Sequence, residues 1–295
     1  MKILLRPRLC GAPLANAIAA DADLATALGA RPNAAVGHVF SRSLDVASPL
    51  LPRLLALGRV HGERLSFLRE VQFSARELDA ASHLEVLCRV TIGQSRPDAD
   101  RTREVYRGEA LQPTRSRWPV RLPSRIYLSK APPPGTIAHV DQWTGEYVAA
   151  ADVAASLRAS GLTGWELRPV LHPRTGDASE GMEHLATGQL LPPARDDVAT
   201  APLVSSQPRR WSVLTYEAGA LEGSPDFART AEPWGDWCTP TWVVRQRVRR
   251  WFLAQRLRGW AFWPVLEAGS SLHREHSRQW EVLLGQLREF GAEIA

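Results

Sequence analysis

LTGWELRPVL, residues 162–171, returns 95 residues later as LRGWAFWPVL, residues 257–266. Both stretches follow the pattern L-x-G-W-x-x-x-P-V-L. Upstream, at the same offset, three further pairs match: Tyr147 with Trp242, Val153 with Val248, and Leu157 with Phe252. A solenoid needs three or more copies, so a single pair indicates one duplicated supersecondary unit. The pattern holds no obvious reacting group, and it therefore indicates architecture rather than chemistry.

Each copy reads as a strand, a loop, a helix and a second strand. The first copy covers about 124–171 and is predicted to contain a helix over 149–160. The second covers about 210–266, with a helix predicted over 242–256. The residues between the copies, 173–208, predict loops and turns with one short strand, because Gly and Pro interrupt them repeatedly.

The repeated glycine and tryptophan have separate structural roles. Gly164 and Gly259 are predicted to be turn residues that fold the last strand of each copy tightly onto its helix. Trp165 and Trp260 follow them at the start of that strand, and we expect both to lie in the hydrophobic core.

The distribution of tryptophan predicts a boundary within the chain. All eleven tryptophans lie between Trp118 and Trp280. We therefore divide the chain into an N-terminal α+β region, 1–117, and a tryptophan-rich region, 118–295. A final helix after residue 271 places its apolar residues close to one face. The predicted fold class is α+β: an N-terminal helix and sheet region, then a duplicated β-loop-α-β unit, closed by a C-terminal helix.

Composition bounds the cellular setting. Cys10, Cys88 and Cys238 lie far apart without a C-x-x-C pair, which argues against a disulfide framework or a structural zinc site. No apolar run approaches the roughly 20 residues of a membrane span, and the first eight residues carry too much charge for a signal peptide. We expect a cytoplasmic protein with no membrane partner and no cofactor.

The net charge of +5 and a pI of about 9.5 make nucleic acid a partner to consider. The sharpest basic feature runs from Arg245 to Arg258, RQRVRRWFLAQRLR, where one helical face is mostly apolar and the arginines point outward. Such a face could grip a phosphate backbone. The alternative is the solvated face of a packed helix. It is favoured because the equivalent helix of the first copy has almost no positive charge.

Candidate chemistry is sparse. His273 and His276 lie three residues apart near a helix start, but zinc needs a third protein ligand and the sequence matches no zinc-protease motif. Neither a nucleophile elbow nor a phosphate-binding glycine loop is present. We assign no catalytic, cofactor-binding or metal-binding residues. An uncharacterised enzyme, the least favoured alternative, would have to build its site from Cys238, the two histidines and nearby carboxylates.

Two loops carry tryptophan beside acidic residues: Asp141 and Trp143 in one, and Trp234, Asp236 and Trp237 in the other. Tryptophan with nearby charge is typical of interface hot spots. It is also typical of a plug that covers the end of a sheet. These five residues are the candidates for binding a partner.

The helix leading into GLTGWELRPV, residues 161–170, and its echo at 257–266 resemble the C-terminal pattern of immunity-type proteins from bacterial polymorphic-toxin systems. The resemblance is to families abundant in myxobacteria, one of which carries doubled C-x-x-C-G motifs that this chain lacks. It implies a cytoplasmic, non-enzymatic protein that binds and blocks a cognate toxin. Inhibitors of basic nucleases are typically acidic, so the basic pI argues against a strongly basic nuclease as that partner.

Overall fold

The structure is a computed structural model, and it describes residues 1–7, 11–63, 65–93, 96–113, 119–140, 145–195, 213–234, 239–290 and 293–294. The first elements in chain order are β1 (Lys2–Pro7), α1 (Ala12–Ala20), α2 (Ala22–Leu28), β2 (Ala30–Asn33), β3 (Gly37–Phe40), β4 (Leu44–Asp45), α3 (Leu50–Val60), β5 (Ser66–Gln72), α4 (Ala75–Ala80), β6 (His83–Cys88) and α5 (Arg96–Gly108).

The remaining elements contain both copies of the repeat. They are β7 (Ile137–His139), β8 (Tyr147–Ala150), α6 (Ala151–Ala159), β9 (Glu166–Leu171), β10 (Ala178–Ala186), β11 (Thr215–Tyr216), β12 (Phe227–Trp234), β13 (Thr239–Arg245), α7 (Gln246–Ala254), β14 (Trp260–Pro264), β15 (Leu266–Glu267), α8 (Ser271–Phe290) and β16 (Glu293–Ile294). The fold is α+β, as predicted, and it ends with the long helix α8 and a short strand.

The duplicated unit is present, and its two copies are equivalent residue by residue. Helices α6 and α7 begin and end 95 residues apart. Each copy sits in a four-stranded antiparallel sheet, with the orders β7-β8-β10-β9 and β12-β13-β6-β14. In the third strand of the first sheet, His184 pairs with Val148 and Arg168. In the second sheet Glu85 pairs with Val243 and Trp263, which are the equivalent partners at the same offset.

The third strand of each sheet has a different origin. In the first sheet it is β10, which follows β9 directly as a hairpin partner. In the second sheet it is β6, which precedes both copies in the chain and belongs to the N-terminal region. The positions of the second copy that correspond to β10 lie within α8 instead. The sheet of the second copy is therefore completed by residues from the first third of the chain.

The predicted helix over 242–256 is too long. Residues 242–245 belong to β13 because they pair with β6 and β12, and α7 begins only at Gln246. Valine at 243 and 244 favours a buried strand. The one short strand predicted within 173–208 corresponds to β10, which is longer than expected: it has nine residues, and its register shifts in its N-terminal half.

The repeated glycine marks the place where the copies cross. Thr163 O accepts a hydrogen bond from Phe227 N at 3.1 Å, and its counterpart Arg258 O accepts one from Ile137 N at 3.0 Å. The turn of each copy thus contacts the first strand of the other copy. Reciprocal contacts of this kind are typical of twofold symmetry. The two copies are therefore related by an approximate internal twofold axis.

The core between the copies is aromatic. Tyr147 and Trp242, which occupy equivalent positions, pack against each other with ring centroids 5.5 Å apart. Trp260 is buried, as predicted, and stacks on Phe252 at 5.6 Å. Trp165 is half-buried, packs against the same cluster and donates from Nε1 to Leu162 O at 2.8 Å. Aromatic pairs in offset-stacked or tilted geometry add stabilisation beyond that of the surface they bury.

The N-terminal sheet has a hydrophobic core of its own. Its order is β16-β5-β1-β4, and α1, α2, α3 and α8 contribute to its core. The apolar face of α8 is buried there through Trp280, Leu283 and Leu287, as its helical spacing predicts. Gln279 fastens the helix to β1, accepting from Ile3 N at 3.2 Å and donating to Met1 O at 3.0 Å. In the described ranges, no helix is both long and apolar enough to span a membrane.

Candidate functional site

Four of the five candidate partner-binding residues, Asp141, Trp143, Asp236 and Trp237, lie outside the described residues. The fifth, Trp234, is described by its backbone alone, which ends strand β12. The residues that bracket both segments are described. Their geometry shows where in the fold the two tryptophan segments begin and end.

Both segments connect the strands of equivalent hairpins. Val140 precedes the first segment and Glu146 follows it, and Val140 N donates a hydrogen bond to Glu146 O at 2.9 Å. On either side of the second, Trp234 pairs with Thr239. The first segment therefore joins β7 to β8, and the second joins β12 to β13, which are the equivalent strands of the two sheets.

The ends of the two hairpins are in contact. A Cβ placed on Gly145 would lie 2.4 Å from Thr239 Cγ2, so glycine is needed for this approach. Trp242 Nε1 also donates to Gly145 O at 3.1 Å. Tyr106 on α5 supports the junction, since its hydroxyl lies 3.1 Å from Thr239 Oγ1 and donates to Arg121 O. The internal symmetry thus brings the anchors of both tryptophan segments to one place.

Directly behind this junction lies a buried ionic network. Glu146 accepts two hydrogen bonds from Arg229, at 2.7 Å and 2.8 Å, in the bidentate geometry of a guanidinium and a carboxylate. His184 Nε2 lies 2.9 Å from Glu146 Oε2. All three side chains are buried, and the Arg229 guanidinium lies 4.4 Å above the centre of the Trp242 ring. His184 lies in β10 and Glu146 directly precedes β8, both in the first sheet, whereas Arg229 lies in β12 of the second, so the network ties the sheets together.

The charge of Glu146 depends on its partners. Burial alone raises the pKa of this carboxyl, but the charge and hydrogen bonds of Arg229, with the hydrogen bond of His184, outweigh burial and lower the pKa to about 2. Glu146 is therefore a carboxylate at neutral pH. The network is a compensated ion pair with no exposed reacting group, which is typical of a structural element.

This network predicts a pH dependence of stability. A carboxyl whose pKa falls from 4.5 to about 2 on folding stabilises the fold fully above pH 4.5, and this contribution disappears as pH falls toward 2. Its size is about 3 kcal/mol by linkage. Urea unfolding at pH 7 and pH 3 should show a loss of about 2 kcal/mol of it, because at pH 3 the carboxyl of the folded protein is still mostly ionised. In Glu146→Gln the corresponding part of the acid destabilisation should vanish. Equal pH dependence in both proteins would show that Glu146 is not the titrating group.

The arginines of the segment from Arg245 to Arg258 mostly bind the protein itself. Among the six from Arg245 to Arg258, four have partners within the fold: Arg245 with Ser224 O at 3.4 Å, Arg247 with Asp226 Oδ1 at 3.4 Å, Arg249 with Asp79 Oδ1 at 2.5 Å, and Arg258 with Pro134 O at 2.8 Å. Arginines held in this way are less available for phosphates. The contacts favour the interpretation of a packed helix.

The other chemistry-bearing residues do not converge. His276 is buried in α8 and stacks on Trp280, whereas His273 accepts from Gly269 N at 3.3 Å. Cys238 and Cys10 lie outside the described residues, and the Cys88 thiol donates to Val90 O at 3.3 Å. Burial raises the pKa of that thiol. In the part of the chain that the structure describes, no three His, Cys, Asp or Glu residues are placed to hold a metal ion.

The buried network was missed at the level of sequence, although a signal exists. Arg229 lies in the run FARTA, and Glu146 directly precedes YVAA. A charged residue inside or beside an apolar strand has to be paired when it is buried. The sequence could not reveal that these two residues pair with each other, because 83 positions separate them.

Compared with models of protein families, with curated proteins and with solved structures, the chain gives no match, so its function has to be argued from its own geometry.

Proposed function

We propose that this chain is a non-enzymatic cytoplasmic binding protein of the immunity type, which neutralises a cognate bacterial toxin by binding it directly. The observation that carries the proposal is the contact between Gly145 and Thr239. Gly145 and Thr239 directly follow the two tryptophan segments, so their contact brings the ends of both segments together. A binding surface built from two equivalent loops explains why the unit is duplicated.

The support behind this surface suits tight binding. Hot spots work best when rigid elements hold them, because little conformational entropy is then lost on association. The two hairpins are held by the Glu146–Arg229 ion pair and by the hydrogen bond from Trp242 to Gly145. The hairpin ends that carry the candidate residues are therefore held rigidly on both sides. These candidates are Asp141, Trp143, Trp234, Asp236 and Trp237.

The partner is proposed to be a protein toxin that is not a strongly basic nuclease. The chain carries a net charge of +5, and like charges at an interface slow association and weaken binding. Nucleic acid is a less favoured partner because four arginines of the 245–258 segment are held within the fold.

Alanine at both Trp234 and Trp237 should weaken partner binding by roughly 30-fold or more, the loss of a hot spot, while leaving the fold intact. Binding is measured by titration calorimetry with the purified partner, and folding by circular dichroism. Leu253→Ala is the matched control, because Leu253 is exposed on α7, which begins after the end of β13 opposite the hairpin. If the double variant folds and binds as the wild type does, the tryptophan segments are not the binding surface.

The partner itself is found by co-purifying the tagged protein from lysate, with and without its neighbouring gene. A stoichiometric protein that stays bound at about 0.5 M salt, where phosphate contacts weaken, supports the proposal. Recovery of nucleic acid that washes off with salt would instead favour nucleic-acid binding by the segment from Arg245 to Arg258. Recovery of the protein alone under both conditions would contradict the binding function and favour an enzyme.

A further inference from the structure

Four side chains form a row of hydrogen bonds at the start of β6. The Ser224 hydroxyl lies 2.8 Å from Nε2 of His83, and on the other side of the ring the Ser82 hydroxyl lies 3.0 Å from Nδ1. Ser82 Oγ in turn donates to Glu267 Oε1 at 2.8 Å. The row is therefore serine, histidine, serine and glutamate. A serine bonded to a histidine that a third group orients is the arrangement of an activated nucleophile.

The proton positions in this row follow from its last bond. Ser82 Oγ donates its proton to Glu267, so it accepts from Nδ1–H of the imidazole. Nε2 of His83 then carries the lone pair, and the Ser224 O–H donates to it. Burial, and after it the charge of Arg245, lowers the pKa of His83 below its usual value of 6.5, although the Glu267 carboxylate acts in the opposite direction. The ring is therefore neutral at pH 7, with Nε2 able to act as a general base.

The insertion of β6 into the second sheet brings these groups together. His83 is the first residue of β6 and pairs with Arg245, the last residue of β13. Glu267 ends β15, and Ser224 lies in the loop that leads into β12. The row thus joins residues that are distant in the chain, at the point where the N-terminal region meets the second copy.

The row is not a feature of the repeated unit. In the first copy, the pair that corresponds to His83 and Arg245 is Met182 of β10 and Ala150 of β8. Neither of these side chains can accept or donate a proton or carry a charge. Because the first sheet forms without such groups, the architecture of the copies does not require them in the second.

Ser224 is the accessible end of the row. His83 is only 5% exposed, whereas Ser224 is half-buried. A Cβ placed on the neighbouring Gly223 would have nothing within 4 Å, so the surface beside the hydroxyl is open. Arg245 Nη1 donates to Ser224 O at 3.4 Å, which brings a positive charge close to the serine. Such a charge stabilises the oxyanion that forms when a hydroxyl attacks a carbonyl group.

We propose that Ser224 is an activated nucleophile that takes an acyl group from an activated carboxylic ester. Ser224 Oγ attacks the ester carbonyl carbon as its proton moves to Nε2 of His83. The bond between Oγ and that carbon forms, and the bond from the carbon to the leaving oxygen breaks. The leaving oxygen takes the proton from His83, so an alcohol departs and an ester of Ser224 remains. Ser82 and Glu267 are positioning residues that orient the ring.

The geometry suits a single transfer rather than repeated turnover. The Ser224 amide N–H is bonded to Leu221 O at 3.2 Å, and Pro225 has no amide N–H. These two neighbouring positions therefore supply no donors for an oxyanion hole, and loss of one such donor slows turnover roughly 100-fold or more. We expect Ser224 to keep the acyl group. The site is then a modification site on a binding protein, and it does not depend on the toxin-binding function.

The proposal is tested on the full-length protein with p-nitrophenyl acetate at pH 7. Absorbance follows the release of nitrophenolate, and mass spectrometry of peptides locates the acetyl group. The wild type should release one nitrophenolate per chain in a burst and carry the acetyl group on Ser224. Ser224→Ala should lose the burst. Ser160→Ala is the matched control and should keep it, because the half-buried Ser160 donates to Leu157 O and contacts no histidine.

Two further variants test the role of the imidazole. His83→Gln keeps an acceptor for the serine but no base, so acetylation should be about 100-fold slower, with folding checked by circular dichroism. In the wild type the rate should fall as pH falls below 6.5, through the lowered pKa of His83. Glu267→Gln should move the midpoint of this profile to lower pH, because its carboxylate raises that pKa against the effect of Arg245. A purely structural hydrogen bond would not produce this shift.

The opposing results are distinct. Acetylation of Ser224 no faster than that of Ser160, or an equal rate in folded His83→Gln, overturns the proposal. A rate that stays constant down to pH 4 also overturns it, since the base would not be His83. Repeated turnover that Ser224→Ala abolishes would support the nucleophile and contradict the non-enzymatic part of the function proposed above.

Discussion

Gly259→Ala is expected to destabilise the fold by roughly 3–5 kcal/mol, combining backbone strain with overpacking. Gly259 has φ +104°, a conformation that L residues rarely adopt, and a Cβ there would lie 1.8 Å from Ile137 O. That oxygen belongs to the backbone of the other copy, in a strand held on both sides by hydrogen bonds. It cannot yield without disrupting the crossing of the two copies. Urea unfolding followed by tryptophan fluorescence measures the loss.

Two other glycines provide matched comparisons. Gly164 is the equivalent residue of the first copy, with φ +85° and Phe227 O at 2.4 Å from a Cβ. Gly161 has φ +67° but nothing within 4 Å, so Gly161→Ala should cost only about 1 kcal/mol for its backbone conformation. The expected order of destabilisation is Gly259, then Gly164, then Gly161. A Gly259 variant as stable as the Gly161 variant would mean that the crossing is loose rather than close-packed.

These glycines also show what a sequence reveals about a fold. The motif L-x-G-W predicted a turn between helix and strand, because glycine and the apolar spacing around it are local signals. The turn is present, but the strict need for glycine comes from a backbone more than 60 residues away along the chain. Local periodicity carries no information about such contacts. The prediction was therefore right about the turn and silent about its cause.

The same limit applies to the second sheet. Its helix and its last strand were predicted from spacing. However, β12 lies in the stretch predicted as the loop of the second copy, and β13, with valines at 243 and 244, takes up the predicted start of the helix. The insertion of β6 between β13 and β14 could not be predicted. Nothing in the run HLEVLC distinguishes a strand that pairs nearby from one that pairs about 160 residues later. The candidate site shows the same limit. Tryptophan content identified the two segments in the sequence, but only the fold showed that Gly145 and Thr239, the residues that follow them, are in contact.

Glu146→Gln and Arg229→Met are each expected to destabilise the protein by about 3–5 kcal/mol, because each leaves the other buried charge without its partner. The pair is bidentate, at 2.7 Å and 2.8 Å, and both side chains are at most 2% exposed. The double variant should cost clearly less than the sum of the two single variants, since it removes both charges. Chemical denaturation of the four proteins forms a double-mutant cycle that measures this coupling.

The exposed pair of Arg158 and Glu183 is the control for that cycle. Its side chains are 54% and 26% exposed, so its coupling should not exceed about 1 kcal/mol. Because Glu146 directly follows Gly145 at the hairpin junction, loss of the buried pair should also weaken partner binding in variants that remain folded. A coupling between Glu146 and Arg229 as small as that of the exposed pair would show that this network does not stabilise the fold. Full partner affinity in the folded double variant would show that the hairpin ends do not depend on it.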